Sequence, residues 1–198
     1  MNLSMLFLGF SVLSKVYSII FLPLFIIYFY KSNKNIKSVL ISLSYFLLSF
    51  LLIIFYSDGI LNIFLTMNNY MRHWYSNNLL FKMLESVTIF FGSPDHSLTR
   101  IIFLILFSIS YLFILFSKTG FIQKIYLTAF CYLIFSHTVH PWYLALLVLM
   151  LPLYFNYTVF YWSGIISLTN ITVYYYLKNN EWSDFMPVLI IEYVILLI

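Results

Sequence analysis

The stretch IIFLILFSISYLFILFS, residues 101–117, runs between Arg100 and Lys118 without a charged residue. Crossing the roughly 30 Å hydrocarbon core of a bilayer takes about 20 such residues as a helix. The run is continuous rather than alternating, so a transmembrane barrel strand is excluded. Residues 101–117 therefore read as a membrane-spanning helix, and the rest of the chain shows the same pattern.

Of the 198 residues, 63% are hydrophobic and only 8% are charged. Soluble domains average about 25% charged residues, so this chain could not cover a globular surface with polar groups. Much of the bias is what an AT-rich genome produces: 22 Phe and 18 Tyr stand beside only Ala129 and Ala145. Aromatic abundance by itself therefore carries no functional weight. The expected fold class is all-α, a polytopic membrane protein with about seven transmembrane helices. The spans fall at 3–30, 39–56, 101–117, a hairpin of two short helices within 125–155, 156–177 and 185–198. His140 and Pro141 sit at the turn of the hairpin, because proline lacks an N–H and disfavours helix in the residue before it.

Charge sets the orientation. The polar breaks KSNKNIKS (31–38) and KTGFIQK (118–124) hold Lys31, Lys34, Lys37, Lys118 and Lys124. The opposite side spreads Arg72, Lys82, Arg100 and Lys178 over much longer loops. The lysine-dense side is expected to be cytoplasmic. The 57–100 loop, the HPWY turn and KNNEWSD (178–184) then face the extracytoplasmic side of an inner or plasma membrane of bacterial type. Within the long outer loop, LLFKMLESVTIFF (79–91) reads as a helix lying in the interface, with Lys82 and Glu85 spaced for one face. GSPDHS (92–97) comes next as a turn, with Ser93 and Pro94 suited to starting the next helix.

Few residues can carry chemistry. Lys15 lies inside the first apolar run, where a charge either faces protein or a wet cavity or snorkels to an interface. Arg72, His73, Trp74 and Tyr75 stand between asparagine pairs in NNYMRHWYSNNLLFK (68–82). They suit either phosphate recognition or an interfacial belt. His137 and His140 are three apart and potentially share a helix face. The outer carboxylates Asp58, Glu85, Asp95, Glu181 and Asp184 form no DxD or ExE pair, and Glu192 has no evident partner in its apolar run. No CxxC or HExxH spacing occurs, so neither a metal nor a cofactor is expected. The lone Cys131 excludes an intrachain disulfide. The net charge of +4 is scattered, and nucleic acid is not an expected partner.

Three stretches carry a family resemblance. HPWYLALLVLMLP (140–152) resembles the outer hairpin of the GT-C superfamily of membrane-embedded glycosyltransferases, which use polyprenyl-phosphate-linked sugars. It is most similar to the mannosyltransferase-like glycosyltransferase family 87 and its relatives. LSKVYSIIFLPLF (13–25) and YMRHWYSNNLLFKML (70–84) resemble a helix and an outer loop of that family, in the same order. The resemblance implies transfer of a mannosyl or other hexosyl unit from a polyprenyl-phosphate donor to a glycan or glycolipid acceptor at the extracytoplasmic face. It makes Lys15, Arg72, His73 and His140 candidates for the donor phosphate. Trp74, Asn77, His137, Trp142 and Tyr143 become candidates for lining the substrate cavity. The catalytic residue is unassigned, because the acidic outer loop that serves as base in the family precedes everything that matches here.

The chain accordingly reads as one integral membrane domain over 1–198, the C-terminal portion of a larger GT-C-like fold, with a span expected upstream of Met1. Truncation to an inactive fragment belongs to this reading. The alternative is a non-catalytic transport or flippase-like envelope protein. Broken midplane helices and internal repeats would favour that alternative, and no repeat is visible.

Overall fold

The computed structural model describes residues 2–51, 62, 65, 77–92, 96–180 and 184–196. These are helical with no β-strand among them, as the composition requires. The chain divides into two compact units, Met1–His73 and Trp74–Ile198.

In the first unit α1 (Asn2–Ser14) ends at Lys15, whose backbone is extended. A 3-10 helix (Val16–Phe21) and α2 (Leu22–Asn33) come after it. The expected single helix over 3–30 is therefore broken, and Lys15 sits at the break rather than in a helix interior. Pro23 marks the later junction, where the 3-10 helix passes into α2. It has no N–H to return to the preceding turn, and its ring suits the first turn of a new helix. Lys34, in the left-handed region at φ 50°, ends α2. Asn35 then caps α3 (Ile36–Ser49), its Oδ1 accepting from the Lys37 N–H at 2.9 Å.

Helices α1 and α3 pack against each other through Met5, Leu8 and Val12 on one side and Val39 and Phe46 on the other. At their closest approach Gly9 faces Ser49: a Cβ on Gly9 would collide with Ser49 Oγ and lie 2.8 Å from the Phe46 carbonyl oxygen. Ser49 Oγ itself donates to that carbonyl at 2.6 Å. Small residues at such a crossing let two backbones approach closely.

The second unit opens with α4 (Leu79–Phe90), so 79–91 is helical as expected. Lys82 and Glu85 do not pair with each other. Lys82 reaches Asp184, and Glu85 meets His96 beyond the turn at Gly92. Ser93 and Pro94 lie outside the described residues. Helix α5 (Ser97–Phe116) packs on α4 through buried Thr88 and Thr99, whose hydroxyls are 2.8 Å apart, and through Phe81 against Phe103. Much of α5 is apolar and exposed, including Leu104, Phe113 and Phe116. Lys124, read from sequence as part of a polar break, instead lies buried in the first turn of α6 (Phe121–Ile134). Its ammonium donates to the Leu115 carbonyl at 2.6 Å, at the end of α5 where the backbone is acceptor-rich.

Helix α6 ends at Ile134, well before the 3-10 turn Pro141–Leu144 and α7 (Ala145–Met150). The hairpin break is thus present but wider than the proline alone dictates. Asn156 caps α8 (Tyr157–Ile165), which runs through a 3-10 turn (Ile166–Thr169) into α9 (Asn170–Asn179). Helix α10 (Met186–Leu196) packs on α8 and α4. The core of this unit holds Phe81, Tyr126, Val139, Leu147, Val159, Trp162 and Leu189.

Among the described residues, two helical runs combine the length and apolarity needed to cross a membrane: Val16–Asn33 and Ser97–Phe116. The other apolar helices, such as Ile36–Ser49 and Phe121–Ile134, are shorter.

The α1–α3 contact yields a direct test. Gly9→Ala is expected to lower stability by about 1–3 kcal/mol, the usual cost of overpacking, because the Phe46 carbonyl cannot move aside as a side chain can. The thermal midpoint in detergent reads this, and a Gly9→Ala protein as stable as wild type would refute the close approach.

Candidate functional site

Two adjacent asparagines organise the polar interior of the second unit, and both are almost fully buried. Asn78 is the N-cap of α4: its Oδ1 accepts from the Phe81 N–H at 2.8 Å. Its Nδ2 donates to the Ser136 and Ile134 carbonyls at the end of α6. One side chain therefore satisfies orphan groups at the start of one helix and the end of another. This explains why α6 stops at Ile134 ahead of the proline.

Asn77 stands in the left-handed region at φ 58°, which asparagine adopts more readily than most residues. That conformation sends its two donors to two carboxylates. The backbone N–H donates to Asp184 Oδ2 at 3.1 Å, and Nδ2 donates to Glu192 Oε2 at 3.0 Å. Glu192 is fully buried in α10 and is also approached by the Trp162 indole. No partner for Glu192 was visible from its apolar run, yet the fold brings Asn77 and Trp162 to it. The Asp184 side chain, 4% exposed, takes the Lys82 ammonium on the same Oδ2 at 2.6 Å.

His140 joins this group from the HPWY stretch. It is 8% exposed and stacks on Trp142 at 4.4 Å between ring centroids, with Tyr143 edge-on at 5.4 Å. It lies near enough to Asp184 for the carboxylate charge to act on it. Burial pushes the His140 pKa down, and Asp184 opposes that shift. His137 is held at about 4 by burial and by the neighbouring Arg100 guanidinium. Both histidines lie in the non-helical segment before Pro141, so they do not share a helix face as their spacing suggested. Trp142 is 57% exposed, while Tyr143 is half-buried.

Of the residues singled out from sequence, Asn77, His137, His140, Trp142 and Tyr143 thus lie in one unit, and Asn77 and His140 share Asp184 as a neighbour. Lys15 belongs to the first unit. Arg72, His73 and Trp74 lie outside the described residues. Asn78, Lys82, Asp184, Glu192 and Trp162 were not singled out as site residues. Lys82 reads only by its spacing to Glu85, and Asp184 and Glu192 only as carboxylates without a partner, so nothing in the sequence joins them. Among the described residues no group of His, Cys, Asp and Glu is arranged to hold a metal ion. Chemically, the cluster presents an ammonium, an imidazole, amide donors and a carboxylate side by side. That set can bind an oxyanion and exchange a proton with a hydroxyl.

Two measurements check this arrangement. Asn77→Ala loses the Glu192 hydrogen bond and strains the backbone, whereas Asn77→Gly loses only the hydrogen bond. The alanine variant should be the less stable by about 1 kcal/mol, and the reverse order in thermal unfolding would overturn the assigned backbone role. The second measurement concerns pH. Between pH 6.5, the ordinary histidine value, and about 4, the unfolded chain binds a proton that folded His137 refuses. Stability should therefore fall as pH drops through that window and show no His137 contribution to the slope above it. His137→Gln should flatten the fall, measured as the thermal midpoint at roughly pH 7.5, above the window, and at roughly 4.5, near its lower end. An unchanged slope would mean that His137 titrates normally.

No protein-family model, no curated protein and no solved structure matches the chain.

Proposed function

We propose that the chain is a multi-pass membrane protein that transfers a hexosyl group from a polyprenyl-phosphate donor to a glycan or glycolipid acceptor at the extracytoplasmic face. The observation that carries this reading is the meeting of two stretches that resemble the GT-C family. His140 from HPWY and Asn77 from WYSNNLLFK both neighbour the Asp184 carboxylate. The exposed apolar side chains of α5 support a lipid surrounding, since large apolar faces are otherwise rare on isolated proteins.

The residues suggest a division of labour. The acceptor hydroxyl oxygen attacks the anomeric carbon of the sugar, and the bond from that carbon to the phosphate oxygen breaks. The electron pair leaves with the polyprenyl phosphate, whose charge is met by Lys82 and His140. Asp184 takes the proton of the attacking hydroxyl. Cationic donors aimed at the departing oxyanion lower the barrier most when water is excluded, and a base within reach of the hydroxyl typically adds about 10²–10⁴-fold. The exposed indole of Trp142 is suited to an apolar sugar face.

The test is a transfer assay with the full chain in lipid vesicles, a polyprenyl-phosphate hexose as donor and release of polyprenyl phosphate as readout. Turnover is expected in wild type, with roughly 100-fold losses for Lys82→Ala and His140→Ala. Passage of intact donor across the vesicle without cleavage would replace this reading with transport. Neither cleavage nor passage would remove both.

A further inference from the structure

Asp184 occupies a position that chemistry would assign to a ligand. Two donors from the start of α4 converge on it, with an imidazole in its neighbourhood. Lys82 Nζ, from α4, lies 2.6 Å from Oδ2, and the Asn77 N–H reaches the same oxygen at 3.1 Å. The His140 imidazole, ahead of the Pro141–Leu144 turn, lies within range of the Asp184 charge. An ammonium and a fixed backbone N–H on one oxygen, with an imidazole near the same carboxylate, make a set that binds carboxylate and phosphate oxygens alike. The backbone donor is rigidly aimed, because Asn77 is fixed by its own side-chain bond to Glu192. Lys82 keeps a third of its side chain exposed while the carboxylate it holds is buried. The cationic end of the pair is thus the one that an incoming anion can reach.

We propose that Lys82, the Asn77 backbone N–H and His140 form a phosphate-binding site that Asp184 fills as an internal substitute until a phosphate oxyanion displaces it. The inference deepens the transferase reading and rests on it for the lipid-linked ligand, whereas the Lys82 and Asn77 contacts to one oxygen stand on geometry. Displacement has a chemical consequence within that reading. While Asp184 holds Lys82, its Oδ2 is occupied by the ammonium and the Asn77 N–H. Once the donor phosphate takes over Lys82, the carboxylate is released beside the bound sugar, so base and substrate arrive together. The step exchanges one ion pair for another: the Lys82–Asp184 contact breaks and a Lys82–phosphate contact forms.

The experiment measures binding of two probes to the full chain in nanodiscs, polyprenyl monophosphate placed in the lipid and inorganic phosphate in solution. Asp184→Asn keeps the shape of the side chain and removes the competing charge. It is expected to tighten phosphate binding by about tenfold or more, and adding Lys82→Gln to it should abolish the gain. A gain confined to the lipid-linked probe assigns the site to a lipid headgroup, and an equal gain for inorganic phosphate assigns it to free oxyanions. Asp184→Asn binding no tighter than wild type overturns the proposal. Should Asp184→Asn lose its helical circular dichroism, wild-type protein decides the matter through acylation of Lys82, read by peptide mass spectrometry. Phosphate at saturating concentration should protect Lys82, and equal labelling with and without phosphate overturns the site. Tighter phosphate binding without sugar transfer would keep this site and remove the transferase reading. Transfer with an unchanged phosphate affinity would do the opposite.

Discussion

The second unit hangs on the Asn77–Asn78 pair. In surroundings this apolar, a polar group without an internal partner costs several kcal/mol, so each helix end and each buried carboxylate needs a donor or acceptor from the chain itself. Asn78 supplies one to the start of α4 and others to the end of α6. Asn77 supplies one to Asp184 and another to Glu192. Two consecutive residues thus bind together four parts of the chain, and the left-handed turn at Asn77 is what lets them point in different directions.

The electrostatics grow out of that arrangement. Glu192 is met by the neutral Asn77 amide, with the Trp162 indole nearby, while Asp184 is tied by a full cation. The two carboxylates sit on one asparagine but in different settings, one enclosed within α10 and the other beside the HPWY turn. Differences of that kind separate a group that holds the fold from one that can exchange partners. The stacked pair His140 and Trp142 closes the same neighbourhood from the loop side, with the imidazole buried and the indole exposed.

How much of this was legible in the sequence depends on the reach of each interaction. Local rules read well. The helical class, the helix over 79–91, the interruption near Pro141 and the uncharged helix ending before Lys118 all rest on neighbours within a few positions. Long-range satisfaction did not read at all. Asn77 lies 107 residues from Asp184 and 115 from Glu192, and nothing in the spacing announces either bond. Lys124 read as a loop charge because its acceptor, the Leu115 carbonyl, belongs to the preceding helix. The break at Lys15 was hidden by the apolar run around it, and Pro23 marks only the later junction between the 3-10 helix and α2. The two histidines were misplaced on a common helix face because their spacing says nothing of where α6 ends. The chemical character of the site was partly visible in HPWY, but Asp184 read only as one of five scattered outer carboxylates.

The 3-10 turn at Ile166–Thr169 interrupts the long helical run from 157 to 179. An α-helix advances about 100° per residue and a 3-10 helix about 120°. Four residues of the tighter coil therefore rotate α9 by roughly 80° relative to an uninterrupted helix. Val159 and Trp162 in α8 are turned to the core, whereas α9 exposes Val173, Tyr174, Tyr176 and Leu177 and buries Thr172. The added rotation returns Thr172 to the face of Val159, Trp162 and Ile166, so the coil change keeps one buried stripe in register along the whole run.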